Sequence, residues 1–454
     1  MSEKSSRLGE QPVKSLLWSL SVPAIIGMTF NALYNIVDGI FVGIATKESG
    51  IAAISVVNPV QLINFALALM FGMGAASIYS RAIGAKDFDK ARRVTNTTIF
   101  VSSIIAIIIS VVGLTFNEQI GYLFGMEDSF KTETMNYLNV IFYGSIFLHL
   151  SVIYNNMFRA EGHAKTAMIA MMIGTITNIV LDPVFIFGFD MGTRGAAIAT
   201  VIGYSFSFSY LMIMQFRIKS NLSIKPSLFK IDIPLIKEVV VVGFPALIRN
   251  SVGALIAITI NNMLKLYSPN PMMSIAIYGI LNRTLMFVFM PIFGIIQGMA
   301  PIVGFNYGAE HYQRTRDVKS YSLKITTLYF IGAFVLLQIF GQYLLGLFGV
   351  SPETLTTGLL YLRITLIFIP IISVQIVLSG YYQALGRSKE ATFISLFRQF
   401  ILLIPLAIIL PMFLGEIGVW VAIPLSDLIS SLVSFVLYKR ESIQFKETYL
   451  KSAY

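Results

Sequence analysis

Twelve apolar segments, each long enough to cross a membrane as a helix, constrain the fold of this chain more than any other feature. A spanning helix needs about 20 apolar residues, and segments of that length recur through all 454 residues. Because 56% of the residues are hydrophobic and only 12% are charged, a soluble domain could not bury this much apolar surface. We therefore predict an all-α, polytopic membrane protein with twelve transmembrane helices. The segments are residues 16–44, 51–80, 94–116, 134–158, 165–188, 194–216, 237–264, 273–304, 318–346, 357–383, 392–413 and 417–438.

Lysine and arginine are distributed unequally between alternate loops. The loops on the side of the two termini hold 25 of these residues, and the opposite loops hold 4. Because positive residues accumulate in cytoplasmic loops, we predict a protein of the plasma (inner) membrane with both termini in the cytoplasm. The net charge of +10 then reflects topology, and the expected partner is the lipid bilayer rather than nucleic acid.

The chain repeats itself at an offset of 224 in the numbering, with slips of one or two residues where Pro23 pairs with Pro245 and Gly195 with Gly418. Gly84-Ala85 matches Gly308-Ala309, and Tyr137-Leu138 matches Tyr361-Leu362. Since each half holds six spans, the halves insert in the same orientation, related by an axis along the membrane normal. We predict two pseudo-symmetric six-helix bundles, an N-terminal lobe over residues 1–225 and a C-terminal lobe over residues 226–454.

Two parallel bundles leave a cleft between them, and rocking one against the other exposes that cleft to either side in turn. Pro23 and Pro245 lie in the first span of each half, where proline permits a helix to bend. An enzyme would need a nucleophile paired with a base, or a metal cluster, at membrane depth, and the sequence provides neither. The pattern favours a transporter that is not an enzyme, without a cofactor or structural metal.

Two acidic residues stand at membrane depth, where an ionised group costs at least ~3 kcal/mol. Asp38 lies in the first span and Asp182 in the fifth, with Asn178 on the same helix face as Asp182. Carboxylate and amide oxygens suit a hard cation such as Na⁺ or a shared proton. The alternative is structural: each aspartate satisfies backbone groups near a helix break, above all Asp182 before Pro183.

Other charged residues also fall within the apolar segments. Arg249, Arg363 and Arg398 are predicted to snorkel towards a membrane boundary, whereas Arg283 is central enough to line a cavity. Asp427 in the last span could pair with one of these arginines. His149, alone in its helix, is predicted to be satisfied locally rather than to act as a switch. These residues are Arg249, Arg283, Arg363, Arg398, Asp427 and His149.

With these segments in view, the chain resembles the multidrug and toxic compound extrusion (MATE) family over essentially its full length. The resemblance rests on residues 38–43 (DGIFVG), Gly84-Ala85 with its basic tail, residues 159–162 (RAEG), and Leu181-Asp182-Pro183 followed by Gly195-Ala196-Ala197. The branch that includes DinF and MepA proteins is the most similar. The resemblance implies a twelve-helix, two-lobed antiporter that expels amphipathic, often cationic, small organic compounds using H⁺ or Na⁺ entry.

The resemblance also implies a coupling site in the N-terminal lobe. It assigns cation coupling to Asp38, Asn178, Asp182 and Thr200, which is where a Na⁺ ion would bind. It adds Tyr137 and Asn155 on the fourth helix to a substrate and polar cluster, in which we also place Asn35 and Arg283. Another branch uses acidic residues on helices seven and ten, but helix seven here has Asn261 and Asn262, and helix ten has Arg363.

A second function remains open at this stage. A flippase or exporter of a lipid-linked or other amphipathic metabolite would need a cationic cleft. Arg283 is the residue that could supply positive charge to such a cleft. The sequence leaves the substrate and the choice between Na⁺ and H⁺ open. It leaves open, too, whether Arg283 and Asp427 line the cleft. We expect the transporter to function as a monomer.

Overall fold

Every regular element in the described part of the chain is helical. The computed structural model describes residues 3–218, 220, 222, 231–346 and 351–452. Within these ranges the side chains of residues 3–5, 34–36, 47, 48, 51, 254 and 441–452 lie outside the description.

The helices follow one another with short connections. In chain order they are α1 (Glu3–Glu10), α2 (Val13–Gly84), α3 (Phe88–Thr115), α4 (Asn117–Leu123), α5 (Lys131–Ala160), α6 (Ala164–Pro183), α7 (Gly192–Arg217), α8 (Ile233–Tyr267), α9 (Pro271–Gly308), α10 (Tyr312–Gly346), α11 (Pro352–Leu366), α12 (Ile369–Leu385), α13 (Ser388–Leu396), α14 (Ile404–Leu414) and α15 (Glu416–Ser452). A 3₁₀ turn (Asp128–Phe130) precedes α5, and π-helical turns follow α6 (Val184–Gly188) and α13 (Phe397–Leu403).

The long helix α2 contains two membrane spans, Val13–Thr46 and Ala52–Gly84. Val42 belongs to the same buried core cluster as Val57 and Val60. Both spans of α2 thus contribute side chains to one buried core. Pro23 lies inside the first of these spans without ending the helix.

In the described part of the chain, eleven helical segments are long and apolar enough to cross a membrane, and one bent helix pair brings the count to twelve. The predicted twelve spans are therefore compatible with the structure. The difference from prediction is in the tenth span, which is not one helix: α11 and α12 meet at an angle of 50°. Pro370 explains the break, since it lacks an N–H and its ring clashes with the carbonyl of the residue four positions earlier. That residue is Leu366, the last of α11.

The repeat found in the sequence recurs in backbone geometry. Lys86 and Glu310, which are equivalent positions in the two halves, both adopt a positive φ, of 59° and 61°. Gly162 and Gly386, another equivalent pair, also adopt positive φ, of 92° and 78°, shortly after the ends of α5 and α12. A positive φ carries no steric cost for glycine, which lacks a Cβ atom. The turns that end equivalent helices are thus built alike.

Helix packing repeats reciprocally as well. A Cβ atom on Gly84 would lie 1.9 Å from the carbonyl oxygen of Phe305, and one on Gly308 would lie 1.9 Å from that of Arg81. Because Phe305 and Gly308 are the equivalents of Arg81 and Gly84 in the repeat, this is the mutual contact that a two-fold relation produces. Small residues here let two helix backbones touch.

The fold divides into two compact units. The first comprises residues 1–250 with 297–311, and the second comprises residues 251–296 with 312–454. The division into lobes at residues 225 and 226 stays a prediction.

Candidate functional site

A change from α-helix to π-helix near the end of the fifth span lies beside the first predicted acidic group. Pro183 ends α6, and the chain continues as a π-helical turn. Asp182 is the residue before Pro183 at the end of α6, and Asn178 lies one turn earlier on the same face. The two side chains meet, since Asn178 Nδ2 donates to Asp182 Oδ1 at 3.3 Å. Both side chains are buried.

The sixth span contributes a hydroxyl to the same place. Asn178 Nδ2 also donates to Thr200 Oγ1 on α7, at 3.2 Å. The two helices can approach this closely because Gly174 and Gly203 face each other, and a Cβ on Gly203 would lie 2.7 Å from the Gly174 carbonyl oxygen. A pair of glycines in contact is thus the local sequence feature that brings Asn178 to Thr200.

Asp38 approaches this group from α2. Its side chain is 8% exposed, and its carboxyl group is close enough to that of Asp182 for the two to interact electrostatically. We call Asp38, Asn178, Asp182 and Thr200 the acidic pocket. The structure brings together all four residues that were predicted to bind the coupling cation.

Tyr137 on α5 forms one wall of the acidic pocket. Its hydroxyl lies beside Thr200 and within electrostatic range of Asp38. Gln61 Nε2 donates to this hydroxyl at 3.5 Å. Sequence analysis missed Gln61, although an amide inside the second apolar span is the same kind of signal that singled out the aspartates. An apolar cluster that includes Tyr137 and Ile186 packs behind this wall.

Three oxygen atoms of the acidic pocket are buried without a hydrogen-bond donor among the residues that the structure describes. They are Asp38 Oδ1, Asn178 Oδ1 and Asp182 Oδ2. Within the same part of the chain, the electrostatic environment of the two aspartates includes no lysine, arginine or histidine. Buried carboxylates without a partner are costly, and two of them repel each other. This donor set can bind protons or a hard monovalent cation such as Na⁺ through carboxylate, amide and hydroxyl oxygens.

Asn155, which was predicted for the substrate and polar cluster, does not join the acidic pocket in the described structure. Asn155 lies five helical turns after Tyr137 on the same helix, which is about 27 Å along its axis. It donates instead to the Ala167 carbonyl oxygen at 2.8 Å. The side chain of Asn35 lies outside the described residues. Arg283 belongs to the second unit, on α9, with an exposed side chain.

His149 takes part in a buried polar network rather than in the acidic pocket. Its Nε2 contacts Asn64 Oδ1 at 3.0 Å, and its Nδ1 contacts the Ser102 hydroxyl at 2.8 Å. Asn64 also donates to Ser145 at 3.0 Å. The prediction that His149 is satisfied was right in outcome, but its partners come from α2 and α3 rather than from its own helix.

Asp427 forms an ion pair within the second unit, as the sequence suggested it could. Arg398 Nε donates to Asp427 Oδ1 at 2.5 Å, and both side chains are largely buried. The prediction that Arg398 snorkels to a membrane boundary is wrong, because its largely buried side chain pairs with Asp427 on α15 instead.

Comparison with known proteins agrees with this architecture. A model of the MatE family matches residues 23–184 and 245–409, one segment in each half. Multidrug export protein MepA of Staphylococcus aureus (strain MSSA476) is 27% identical over 442 residues, which is 96% of this chain and 97% of the relative.

Solved structures are similar over the whole length. The MATE multidrug transporter DinF-BH, solved in complex with the dye rhodamine 6G, aligns with a TM-score of 0.89 and 38% identity over 97% of this chain and 98% of its own. A MOP superfamily transporter from Pyrococcus furiosus aligns with a TM-score of 0.91 and 24% identity over 98% and 99% of the two chains, which supports the fold alone.

The helical repeat, the matched turns and the family segments in both halves lead to one assignment. Members of the family are transporters rather than enzymes. This chain belongs to the MATE family of multi-pass membrane transporters.

Proposed function

We propose that this transporter is a cation-coupled antiporter that exports amphipathic or cationic small organic molecules by alternating access. The observation that carries the proposal is the set of three buried acceptor oxygens in the acidic pocket, on Asp38, Asn178 and Asp182. A site with this many acceptors and no internal cation among the described residues favours a positively charged ligand, since the ligand removes the repulsion between the two carboxylates.

The coupling ion, H⁺ or Na⁺, is assigned to Asp38, Asn178, Asp182 and Thr200. Binding of the ion neutralises the acidic pocket and draws α2 towards α6. The bend that Pro23 permits in α2 then reduces the space available to substrate. Ion and substrate therefore compete, and ion entry drives substrate out.

The substrate class is carried over from relatives. MepA is named a multidrug export protein, and the DinF-BH structure contains rhodamine 6G. For this chain we propose amphipathic or cationic small molecules as substrates and the plasma membrane as the location, with cytoplasmic termini and a monomer as the functional unit. Arg283, exposed on α9, is proposed to contribute to substrate binding.

The experiment is dye export from vesicles that contain the purified protein. Rhodamine 6G serves as the probe, and export is driven in separate runs by a pH gradient and by a Na⁺ gradient. We expect Asp38→Asn and Asp182→Asn to abolish export driven by the effective gradient. Asp89→Asn, whose side chain is 90% exposed, is the matched control and keeps full activity. Full gradient-driven export by Asp38→Asn would overturn the assignment of the coupling site.

A further inference from the structure

The second unit contains a buried ion pair that the proposed cycle does not use. Arg398 and Asp427 lie inside the last two membrane spans, and their side chains are 18% and 3% exposed. Arg398 is the one charged group, within the described part of the chain, that acts electrostatically on Asp427. The helices α11, α12 and α14, which also pack in this unit, bring no further charge to it.

The neighbours of Asp427 are neutral polar groups. Ser430, one turn along α15, donates to the Asp427 backbone carbonyl at 3.1 Å and to Gln375 Oε1 on α12 at 3.1 Å. Neither contact neutralises the carboxylate. The charge of Asp427 is therefore balanced by the Arg398 guanidinium.

The repeat relates this ion pair to the acidic pocket of the first unit. At the offset of 224, Arg398 corresponds to Gly174; at the offset of 223 that pairs Gly195 with Gly418, Ser426 corresponds to Gly203 and Asp427 directly follows it. Gly174 and Gly203 are in direct backbone contact, one turn from Asn178 and Thr200. Arg398 thus stands where the repeat places one glycine of the contact that positions the acidic pocket, and Asp427 lies next to the equivalent of the other.

The two units also differ in their ligating residues. The positions that correspond to Asn178, Asp182 and Thr200 are Leu402, Leu406 and Ile423, none of which has a side chain that can bind a cation. In the first unit, the carboxylates of Asp38 and Asp182 have no cationic side chain beside them among the described residues. In the second unit, the carboxylate of Asp427 has the Arg398 guanidinium.

We propose that Arg398 is a tethered cation: its guanidinium permanently fills a cation site that Asp427 forms in the second unit. The carboxylate would otherwise bind a proton or a small monovalent cation such as Na⁺. The site at Asp427 is therefore permanently occupied by a side chain of the protein, and uptake of an external ion is confined to the first unit. The comparison with the acidic pocket rests on the proposed function, but the existence of a masked site at Asp427 does not.

The test removes the tethered cation in a chain whose acidic pocket has been disabled. In the Asp38→Asn/Asp182→Asn background, Arg398→Met leaves Asp427 buried and unpaired. The melting temperature of the purified full chain is measured in detergent while Na⁺ replaces choline at constant ionic strength, and again while the pH is lowered. A ligand that binds only the folded state stabilises it. We therefore expect the melting temperature of Arg398→Met to rise by several degrees as the concentration of Na⁺ or H⁺ increases.

Three further variants in the same background make the outcome specific. Adding Asp427→Asn to Arg398→Met removes the cation dependence and restores stability, since neutral replacement of both partners of a buried pair is tolerated. Arg398→Lys retains a tethered charge and shows no added dependence. Arg363→Met, which removes an exposed arginine from α11, is the matched control and also shows none.

Several results would overturn the proposal. One is an Arg398→Met chain whose stability depends on cations no more than its background does. A second is a dependence that persists after Asp427→Asn. A third is failure of Arg398→Met to fold at every Na⁺ concentration and pH, because an external cation should then replace the guanidinium. Since the acidic pocket is disabled throughout, these results are independent of whether Asp38 couples transport.

Discussion

Individual side chains at the acidic pocket divide into those that would bind the ion and those that hold the binding groups in place. Asp38 and Asp182 supply charge, whereas Asn178 connects Asp182 to Thr200 by donating from a single amide nitrogen. Asn178 Oδ1, an acceptor, stays buried without a donor among the described residues. Thr200 therefore has an orienting role through its hydroxyl, which can be tested separately from the charges.

Removing that hydroxyl should weaken ion binding without unfolding the protein. Thr200→Val preserves shape but deletes the acceptor for Asn178 Nδ2, a contact of 3.2 Å. A hydrogen bond contributes about 0.5–1.5 kcal/mol, so the ion concentration for half-maximal dye export should rise about two- to tenfold. Thr200→Ser, which keeps the hydroxyl, is the control and should match the parent. An unchanged ion requirement in Thr200→Val would remove Thr200 from the site.

The His149 network should affect stability but not coupling. His149→Leu leaves Asn64 Oδ1 and the Ser102 hydroxyl buried without their present partner, at a cost of about 1–3 kcal/mol for each group. We expect a lower melting temperature in detergent and an unchanged ion dependence of export. Tyr143→Leu alters a side chain on the same helix that is 70% exposed, and it should leave the melting temperature near that of the parent. Loss of ion dependence in His149→Leu would assign this histidine a coupling role.

At the scale of helices, the acidic pocket exists because α6 and α7 touch through glycine. The sequence places Asn178 and Asp182 on one face, but it is the contact between Gly174 and Gly203 that sets how far Asn178 lies from Thr200. The π-helical turn after Pro183 and the start of α7 are packed just as closely, since a Cβ on Gly195 would lie 2.8 Å from the Phe185 backbone.

A methyl group between these helices should therefore impair transport. Gly203→Ala places a Cβ 2.7 Å from the Gly174 carbonyl oxygen, and a backbone oxygen can retreat only if the helices separate. Overpacking of this kind destabilises the folded state by about 1–3 kcal/mol, and because separating α6 from α7 also moves Asn178 away from Thr200, we expect the rate of dye export to fall. Gly332→Ala, at a helical position with no atom within 4 Å of the added Cβ, should transport normally. Equal rates for both variants would contradict the role of this contact.

Sequence analysis succeeded where the signal is carried by one element at a time. The apolar spans, the turns at Gly84 and Gly308, and the pairing of Asn178 with Asp182 all follow from spacing along the chain. It failed where the outcome depends on how helices rotate against each other. The snorkelling predicted for Arg398 overlooked its pairing with Asp427 on α15, and Gln61 became part of the site only when α2 packed on α5.

Asn155 shows the limit of assigning residues by resemblance. It shares a helix with Tyr137, yet the two residues are five helical turns apart, which is about 27 Å along the axis. The hydroxyl and the amide therefore belong to different layers of the same bundle. The break at Pro370 could have been predicted, since a proline inside an apolar run is a recognised cause of kinks.

For the molecule as a whole, the duplication is retained in the turns and helix contacts but not in the charged residues. Equivalent turns share positive φ values at Lys86 and Glu310, and Gly84 and Gly308 make reciprocal contacts. The acidic residues do not repeat, since the position that corresponds to Asp182 is Leu406. A frame that is kept while its charges diverge suits a carrier in which one half responds to the ion.

The reciprocal contacts predict matched effects of matched substitutions. Gly84→Ala and Gly308→Ala each place a Cβ 1.9 Å from a backbone carbonyl oxygen, of Phe305 and Arg81 respectively. We expect both to lower the melting temperature in detergent by similar amounts, corresponding to about 1–3 kcal/mol. Gly279→Ala, with no atom within 4 Å of the added Cβ, should not. A large effect of one substitution and none of the other would contradict the two-fold relation.

The central claim is that export of an organic molecule is exchanged for a cation bound at the acidic pocket. The most direct measurement imposes only a gradient of rhodamine 6G across vesicles that contain the purified protein and records ion movement, with a pH indicator and, in parallel, a Na⁺ indicator. Antiport predicts that H⁺ or Na⁺ moves against its own starting equilibrium, opposite in direction to the dye, and that Asp38→Asn abolishes this movement. Dye movement without any ion movement, or ion movement in the same direction as the dye, would contradict the account.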